Sequence, residues 1–500
     1  MDVSFLYLED RATVMHVGTV MVFDPPEGGF DYTTLLRHIA ARIAFVPRYR
    51  QRVRQVPGRL ANPVWVDDER FDLSYHVRRS ALPRPGTLEQ LRDLVARVQP
   101  RRMDRSRPLW ELYVVEGLQD GRFAVITKTH QALVDGVHAV DLAQVVLDDS
   151  ATTTPSPPDT WRPSPEPSLA ELVSGAVAEA WMRPTVLLDT FRAGLSDLHA
   201  TAGKAVDALG GLAVAAKTAT SPAPDSPLNV VIGEHRRFGT VTTDLADYRA
   251  VRDFHALGGR AARRRRSAGR SADAGGDAGT RGDADADPAA DPSRGAGALT
   301  VNDVVLATLT GALRQWMLTR GARVAPQTTL RALVPVSVRG EPVLDGTRFR
   351  PHVEALLIDL PLGEPSPAVQ LQQVAYQMKA HADTGRSVPA HRLADVAGFA
   401  PATLHSLGVR VAGGLARRVF NLVVTNVPGP QDARYVAGAP MVSSYPVIPL
   451  AKGQGLAVGV TSYRGGVYYG LNADREAMPD LDVLCQCVTD ALGELRETVR

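Results

Sequence analysis

Apolar positions recur at helical spacing in two early stretches. In residues 31–46, Leu35, Leu36, Ile39 and Ile43 share one face behind an Asp31 cap; in residues 87–98 the same device follows Thr87 and Gln90, which read as a capping box. Extended chain lies between them. The β-rich segments Trp110–Glu116 and Arg122–Lys128, separated by Gly117-Leu118-Gln119-Asp120-Gly121, predict a hairpin. The chain then passes through Thr129–Gly136 into an apolar-periodic helix, Val137–Leu147. A second β/α series follows: extended Arg237–Asp244, helices over 245–257 and 300–319, extended Thr329–Val338 and Val353–Leu360, a helix over 366–382 and extended Val419–Val427. A hairpin, Leu456–Tyr463 with Val467–Asn472, and an amphipathic helix over 480–498 close the pattern.

Three stretches interrupt it. Ser150–Pro167 is dominated by Pro, Ser and Thr and reads as a linker, because such a composition buries too little apolar area to offset ordering entropy. Residues 168–218 form a long Ala/Leu-rich helical stretch broken at Pro184, which reads either as a crossover packed on both lobes or as a helix lying on a membrane surface. From Gly258 to Ala298 there is no Val, Ile, Leu, Met or aromatic residue, so this segment reads as a disordered insertion. Its Arg263–Arg266 run is balanced by six aspartates and has no aromatic neighbours, a tether rather than a nucleic-acid site.

At 500 residues the chain is too long for one compact core. With 44% apolar residues, 22% charged residues and a net charge of +2, it is neither a disordered polymer nor a nucleic-acid-coating polycation. The two cysteines, Cys485 and Cys487, sit in the last helical pattern and exclude a disulfide framework; as a pair they also make a poor metal site. The N-terminal stretch lacks a basic region followed by an apolar core, and no run approaches about 18 apolar residues, so a cytoplasmic protein is expected, with peripheral membrane attachment left open. Arg48, Arg50, Arg52 and Arg54 alternate, and if extended they form one basic face, either a solvated strand edge or a contact for CoA phosphates or lipid headgroups.

The sharpest chemical constellation is Thr127–Gly136, at a strand end before a helix, with His130 and Asp135 five residues apart. A histidine there can take a proton near neutral pH, and an Asp-Gly pair can make the turn. Such a pair alone says little.

His130-Gln131-Ala132-Leu133-Val134-Asp135-Gly136 resembles the His-His-x-x-x-Asp-Gly signature of the bacterial wax ester synthase/diacylglycerol acyltransferase family. Asp104–Glu111, with Pro108, Leu109 and Trp110, resembles that family's Pro-Leu-Trp block; His16-Val17-Gly18, Phe71-Asp72 and His76-Val77 resemble its N-terminal blocks. Thr300–Val305 with Asn302-Asp303, Val334–Arg339 and Asn426-Val427-Pro428-Gly429-Pro430 resemble later blocks, in family order along nearly the whole chain. The resemblance implies an α/β fold of two chloramphenicol-acetyltransferase-like lobes, mixed sheets with helices, and an interface tunnel. On that reading residues 1–150 form the lobe carrying the motif, 151–225 the linker and crossover helices, and 226–500 the second lobe with the 258–298 insertion.

It further implies acyl transfer from long-chain acyl-CoA to diacylglycerol, giving triacylglycerol, or to a fatty alcohol, giving wax ester. Acyl-CoA is then a co-substrate and no cofactor or metal is needed; the partners are these lipids and a membrane or lipid-inclusion surface. The family's second motif histidine is its general base, and here Gln131 stands in that position. A carboxamide orients a hydroxyl or donates to an oxyanion but takes no proton. His130 substitutes only if the backbone adjusts, because neighbours in extended chain face opposite ways. His138 reads as an ordinary helix residue. Asp135 and Gly136 are expected to hold the turn, Asp135 with Arg339 as a candidate partner, while Asn302, Pro108, Leu109, Trp110 and Asn426 are candidate substrate contacts. Gln131 also feeds a second reading, a lipid- or acyl-CoA-binding protein that kept the fold and lost efficient chemistry. A condensation-type enzyme using carrier-bound acyl groups fits the Pro-Leu-Trp and Asn-Val-Pro-Gly-Pro blocks less well.

Overall fold

A short helix α1 (Ser4–Leu8) leads into β1 (His16–Phe23), a central strand of the first sheet. The computed structural model describes residues 4–26, 28–57, 62–134, 141–152, 159–172, 174, 222–256, 299–338, 352–384, 388–389 and 419–499. Helix α2 (Tyr32–Ile43) starts where the Asp31 carboxylate accepts from the Thr33 and Thr34 amides, and it buries Leu35, Ile39 and Ile43. A two-stranded ribbon, β2 (Gln51–Arg54) with β3 (Val64–Asp67), follows. Then come α3 (Leu73–His76), β4 (Val77–Ala81) and α4 (Leu88–Val98), the last opened by the Thr87/Gln90 capping box expected from sequence. Strands β5 (Trp110–Glu116) and β6 (Phe123–His130) pair antiparallel, as the hairpin pattern requires. The motif begins on a single turn, α5 (Gln131–Val134). The next described helix, α6 (Leu142–Val146), starts later than the periodicity suggests because the Asp141 side chain accepts from the Ala143 amide and caps it there.

The second series contains β7 (Arg236–Asp244), α7 (residues 245–256), α8 (Val301–Thr319), β8 (Leu330–Val338), β9 (His352–Leu360), α9 (Pro367–Thr384), β10 (Val388–Pro389) and β11 (Leu422–Val427). It ends with β12 (Tyr435–Val436), β13 (Ala439–Val447), β14 (Leu456–Tyr463), β15 (Gly466–Asp474) and α10 (Leu481–Glu497). The six-stranded first sheet has the order β12-β13-β1-β6-β5-β4 and the seven-stranded second sheet β10-β9-β8-β11-β14-β15-β7, both mixing parallel and antiparallel pairs. These are two α/β sheets, as the fold class requires. They are joined by β13, which pairs with β1 although it arrives from the C-terminal part of the chain. At its end the backbone passes directly over β15: a Cβ on Gly470 would stand 1.8 Å from the Pro446 carbonyl oxygen, so only glycine fits.

The chain divides into two compact units. One comprises Met1–Thr242, Leu330–Leu357 and Val388–Asp482; the other comprises Thr243–Thr329, Ile358–Ser387 and Val483–Arg500. The core of the first is Val, Leu, Ile and aromatic side chains from β1, β5, β6, α2, α4 and β13. Within the second, α8 is buried along most of its length, and Gly311 lets it approach Ala491 of α10.

The alternating arginines do not make one basic face. Pro47 opens a tight turn over Pro47–Arg50, so only Arg52 and Arg54 are extended. The Arg48 guanidinium stacks on Trp65, Arg50 is buried against Asp159, and Arg52 and Arg54 both reach Glu166. The partners of Arg50, Arg52 and Arg54 thus lie in the Pro-rich segment, whose residues 159–168 run without regular structure and are pinned along the ribbon by charge rather than by apolar burial. The stretch beyond residue 174 up to 221 and the 258–298 insertion lie outside the described residues. Among the described residues no helix is long and apolar enough to cross a membrane.

Candidate active site

Strand β6 is buried at every position from Phe123 to His130 and delivers His130 at its end, opposite His16 of β1. The junction is fixed by backbone: the His130 amide donates to the Leu109 carbonyl at 3.0 Å, and the Gln131 amide donates to the Met15 carbonyl at 2.8 Å. The His130 side chain is 1% exposed. Its Nδ1 accepts from the Ala132 amide at 3.1 Å, so the ring proton sits on Nε2, which faces Glu9 Oε2 at 3.8 Å. An imidazole whose lone pair already receives a backbone N–H has none left for a substrate hydroxyl.

Behind His130 lies a buried polar cluster. His16 donates from Nδ1 to the Gln99 carbonyl at 3.0 Å and turns Nε2 toward Glu9 Oε1, 3.3 Å away. The other Glu9 oxygen receives the Arg105 guanidinium, which also donates to the Leu6 carbonyl at 2.8 Å and so ties α1 to the block before β5. Burial works to raise the Glu9 carboxyl, but His16, Arg105 and the nearby His130 override it and hold it down at about 2. Burial pulls His130 down to about 3 against the Glu9 carboxylate, and burial likewise lowers His16 although Glu9 and the Gln99 carbonyl oppose it. Gly18 belongs to the same arrangement. A Cβ there would lie 2.0 Å from the Thr127 carbonyl oxygen and 2.8 Å from Gln99 Nε2, which explains a glycine two residues after His16.

Two residues before His130 on β6, Lys128 is fully buried, donates to the carbonyls of Val98 and Arg101 at the end of α4, and lies 3.4 Å from Glu111. Burial lowers its ammonium to about 8, with Glu111 resisting. Pro108, Leu109 and Trp110 are buried core positions. Leu109 packs with Leu6, Val53 and Ala132, and the Trp110 indole N–H donates to the Tyr49 carbonyl at 2.7 Å while its ring stacks on His76, 4.6 Å between centroids. Phe71 packs against both rings, 5.3 Å from the His76 centroid and 6.5 Å from that of Trp110, so three separate sequence blocks meet in one aromatic cluster.

Gln131, by contrast, is half-buried, and its carboxamide makes no hydrogen bond among the described residues. Asp135, Gly136, His138 and Arg339 lie outside the described residues. Asn302 stands on the first turn of α8 in the second unit, half-buried beside the Thr300/Asp303 capping box. Asn426 is half-buried on β11, paired in register with Val460 of β14. The structure thus gathers His130 and Gln131 at one strand end. It adds Glu9, His16, Gln99 and Arg105, which motif reading did not mark as site residues. The signal for Glu9 is an acid directly closing the apolar run Phe5-Leu6-Tyr7-Leu8, whose partner Arg105 is 96 residues away.

The three depressed groups act together on stability. His130 and His16 are held below 6.5 and Glu9 below 4.5, so the unfolded chain binds more protons than the folded one on the acid side. Their contribution is complete above pH 6.5 and is lost as pH falls through the values of about 3 for His130 and about 2 for Glu9. Urea melts from pH 7.5 down to pH 4 are expected to lose several kcal/mol, with His130→Asn flattening that slope; a pH-independent midpoint contradicts the buried neutral histidine.

Comparison with known proteins shows the family to which the chain belongs. A family model described as the wax ester synthase/diacylglycerol acyltransferase catalytic domain matches residues 1–259, and one for the C-terminal domain of the same family matches residues 352–496. The chain is 42% identical over 252 residues to tgs3 of Mycobacterium tuberculosis, named a probable diacylglycerol O-acyltransferase, covering 50% of this chain and 93% of that protein. With tgs2 of the same organism, named likewise, identity is 31% over 509 residues, covering 100% of this chain and 98% of the relative. The solved wax ester synthase/diacylglycerol acyltransferase of Marinobacter aquaeolei VT8 superposes with a TM-score of 0.63 at 27% identity, over 100% of this chain and 98% of that one. The first condensation domain of the calcium-dependent antibiotic synthetase shares the fold, with a TM-score of 0.53 at 15% identity. From its N-terminal apolar run to its last helix, the chain belongs to the wax ester synthase/diacylglycerol acyltransferase family, a family of acyltransferases.

Proposed function

We propose that the protein transfers a long-chain acyl group from acyl-CoA to the hydroxyl of diacylglycerol, giving triacylglycerol, and that it accepts fatty alcohols as secondary acceptors. The observation that carries this reading is the full-length agreement with proteins named diacylglycerol O-acyltransferases, together with the motif seated at the end of β6. The acceptor oxygen attacks the thioester carbonyl directly; the new C–O bond forms, the C–S bond breaks, and the hydroxyl proton ends on the CoA thiol. Gln131 orients the hydroxyl or donates its carboxamide N–H to the oxyanion. It takes no proton, so the reaction runs about 10²–10⁴-fold below one with a base in that place. His130, with its lone pair engaged, is the anchor that sets Gln131 in position. Asp135 and Gly136 are assigned to the turn after α5, and Asn302 and Asn426 to the substrate path. Acceptor and product are both water-insoluble, so the protein works peripherally at a membrane or lipid-inclusion surface.

Gln131 also favours a second reading, a family member that binds acyl-CoA and lipid with little turnover. Palmitoyl-CoA offered with an equimolar mixture of dioleoylglycerol and hexadecanol separates the two: triacylglycerol in excess over wax ester is expected. Neither product, with acyl-CoA still bound, establishes the binding protein instead.

A further inference from the structure

A cleft of about 570 Å³ opens in the first unit between the end of α2, the turn before β2 and the charged strap at residues 159–161. It is within the roughly 300–1,000 Å³ typical of small-molecule sites. One wall is apolar and smooth: Ala40, Ala41, Ile43 and Ala44. At the other side stands Arg50, whose side chain is only 6% exposed. Its guanidinium lies 4.8 Å from the Trp161 ring centroid and 5.7 Å from that of Phe71, both of which line the cleft. Both terminal nitrogens donate to the Asp159 carboxylate, while Nε is buried with no hydrogen-bond partner among the described residues.

A buried guanidinium between two aromatic faces, at the edge of an apolar wall, is built to hold a carboxylate on a hydrocarbon chain. Here the carboxylate comes from Asp159, which is 46% exposed on a strap without regular structure. We propose that this cleft is a binding site for a free long-chain fatty acid, whose carboxylate takes the place of Asp159 on Arg50 while its chain lies along the alanine wall of α2. The exchange trades one carboxylate for another, so Arg50 is never left as an uncompensated buried charge. Asp159 is then an internal competitor, and the strap opens when the ligand enters. The ligand is the product expected when an acyl thioester is lost to water instead of to an acceptor.

Oleate titrated into the full chain, followed by calorimetry and Trp fluorescence, tests this. Asp159→Asn removes the competitor without emptying the core, and about tenfold tighter oleate binding is expected. Arg50→Lys gives up the bidentate fork and is expected to weaken binding by at least tenfold, with a melting curve run beside it to show that the protein is folded. Oleyl alcohol has the tail without the charge, and its binding is expected to be indifferent to both substitutions. Oleate affinity unchanged by Asp159→Asn, or retained in folded Arg50→Lys, overturns the proposal.

Discussion

Replacing Gln131 with histidine is expected to raise the rate of acyl transfer by about 10²–10⁴-fold, the usual worth of a positioned general base. The backbone supports this substitution. The Gln131 amide is tied to the Met15 carbonyl and the preceding residue to Leu109, so the new imidazole stands where the carboxamide stands now. The position is half-buried and its carboxamide makes no hydrogen bond among the described residues, so the substitution breaks none of theirs. The gain falls in kcat rather than in the KM for acyl-CoA, because proton removal is realised in the transition state. His130→Ala is expected to destabilise the junction rather than to remove a base. Steady-state kinetics on the two variants decide between them: no gain from Gln131→His with turnover abolished by a well-folded His130→Ala assigns the base to His130.

Glu9→Ala carries the largest expected cost in stability. The Glu9 carboxylate is 3% exposed, receives Arg105 on one oxygen and faces His16 Nε2 at 3.3 Å with the other. Removing it leaves the Arg105 guanidinium, 34% exposed, holding the Leu6 carbonyl but no carboxylate, a change that costs about 1–3 kcal/mol because solvent screens the remaining charge. Glu9→Gln keeps an acceptor for Arg105 and is expected to cost less. The damage reaches the motif, since Arg105 also tethers the Leu6 carbonyl and Leu6 packs on Ala132 in the turn after His130. Chemical denaturation of both variants checks the order; equal midpoints for wild type and Glu9→Ala contradict the role given to this cluster.

Local signals in the chain carried far. The Asp31 cap, the Thr87/Gln90 and Thr300/Asp303 boxes and the β5–β6 hairpin depend on residues a few positions apart, and each forms as its spacing requires. What periodicity does not encode is pairing at a distance. Nothing local indicates that Ala439–Val447 crosses to pair with β1, or that its Pro446 carbonyl passes over Gly470 of β15. Alternation at 48, 50, 52 and 54 predicts one extended face; Pro47 turns the first two, and the acids that pair with Arg50, Arg52 and Arg54 lie more than 100 residues downstream. The motif marks His130, yet only the fold shows that His130 spends its lone pair on Ala132 while Glu9, His16 and Arg105 assemble behind it.

The central claim is that this chain moves an acyl group from a thioester to an acceptor hydroxyl with a glutamine in the base position. It is tested most directly by measuring free CoA thiol and triacylglycerol together, from palmitoyl-CoA and dioleoylglycerol, for wild type and Gln131→His. The expected result is thiol and triacylglycerol in equal amounts, slowly from wild type and much faster from the variant. Thiol released with free palmitate as the only lipid product, or no triacylglycerol from either protein, contradicts it.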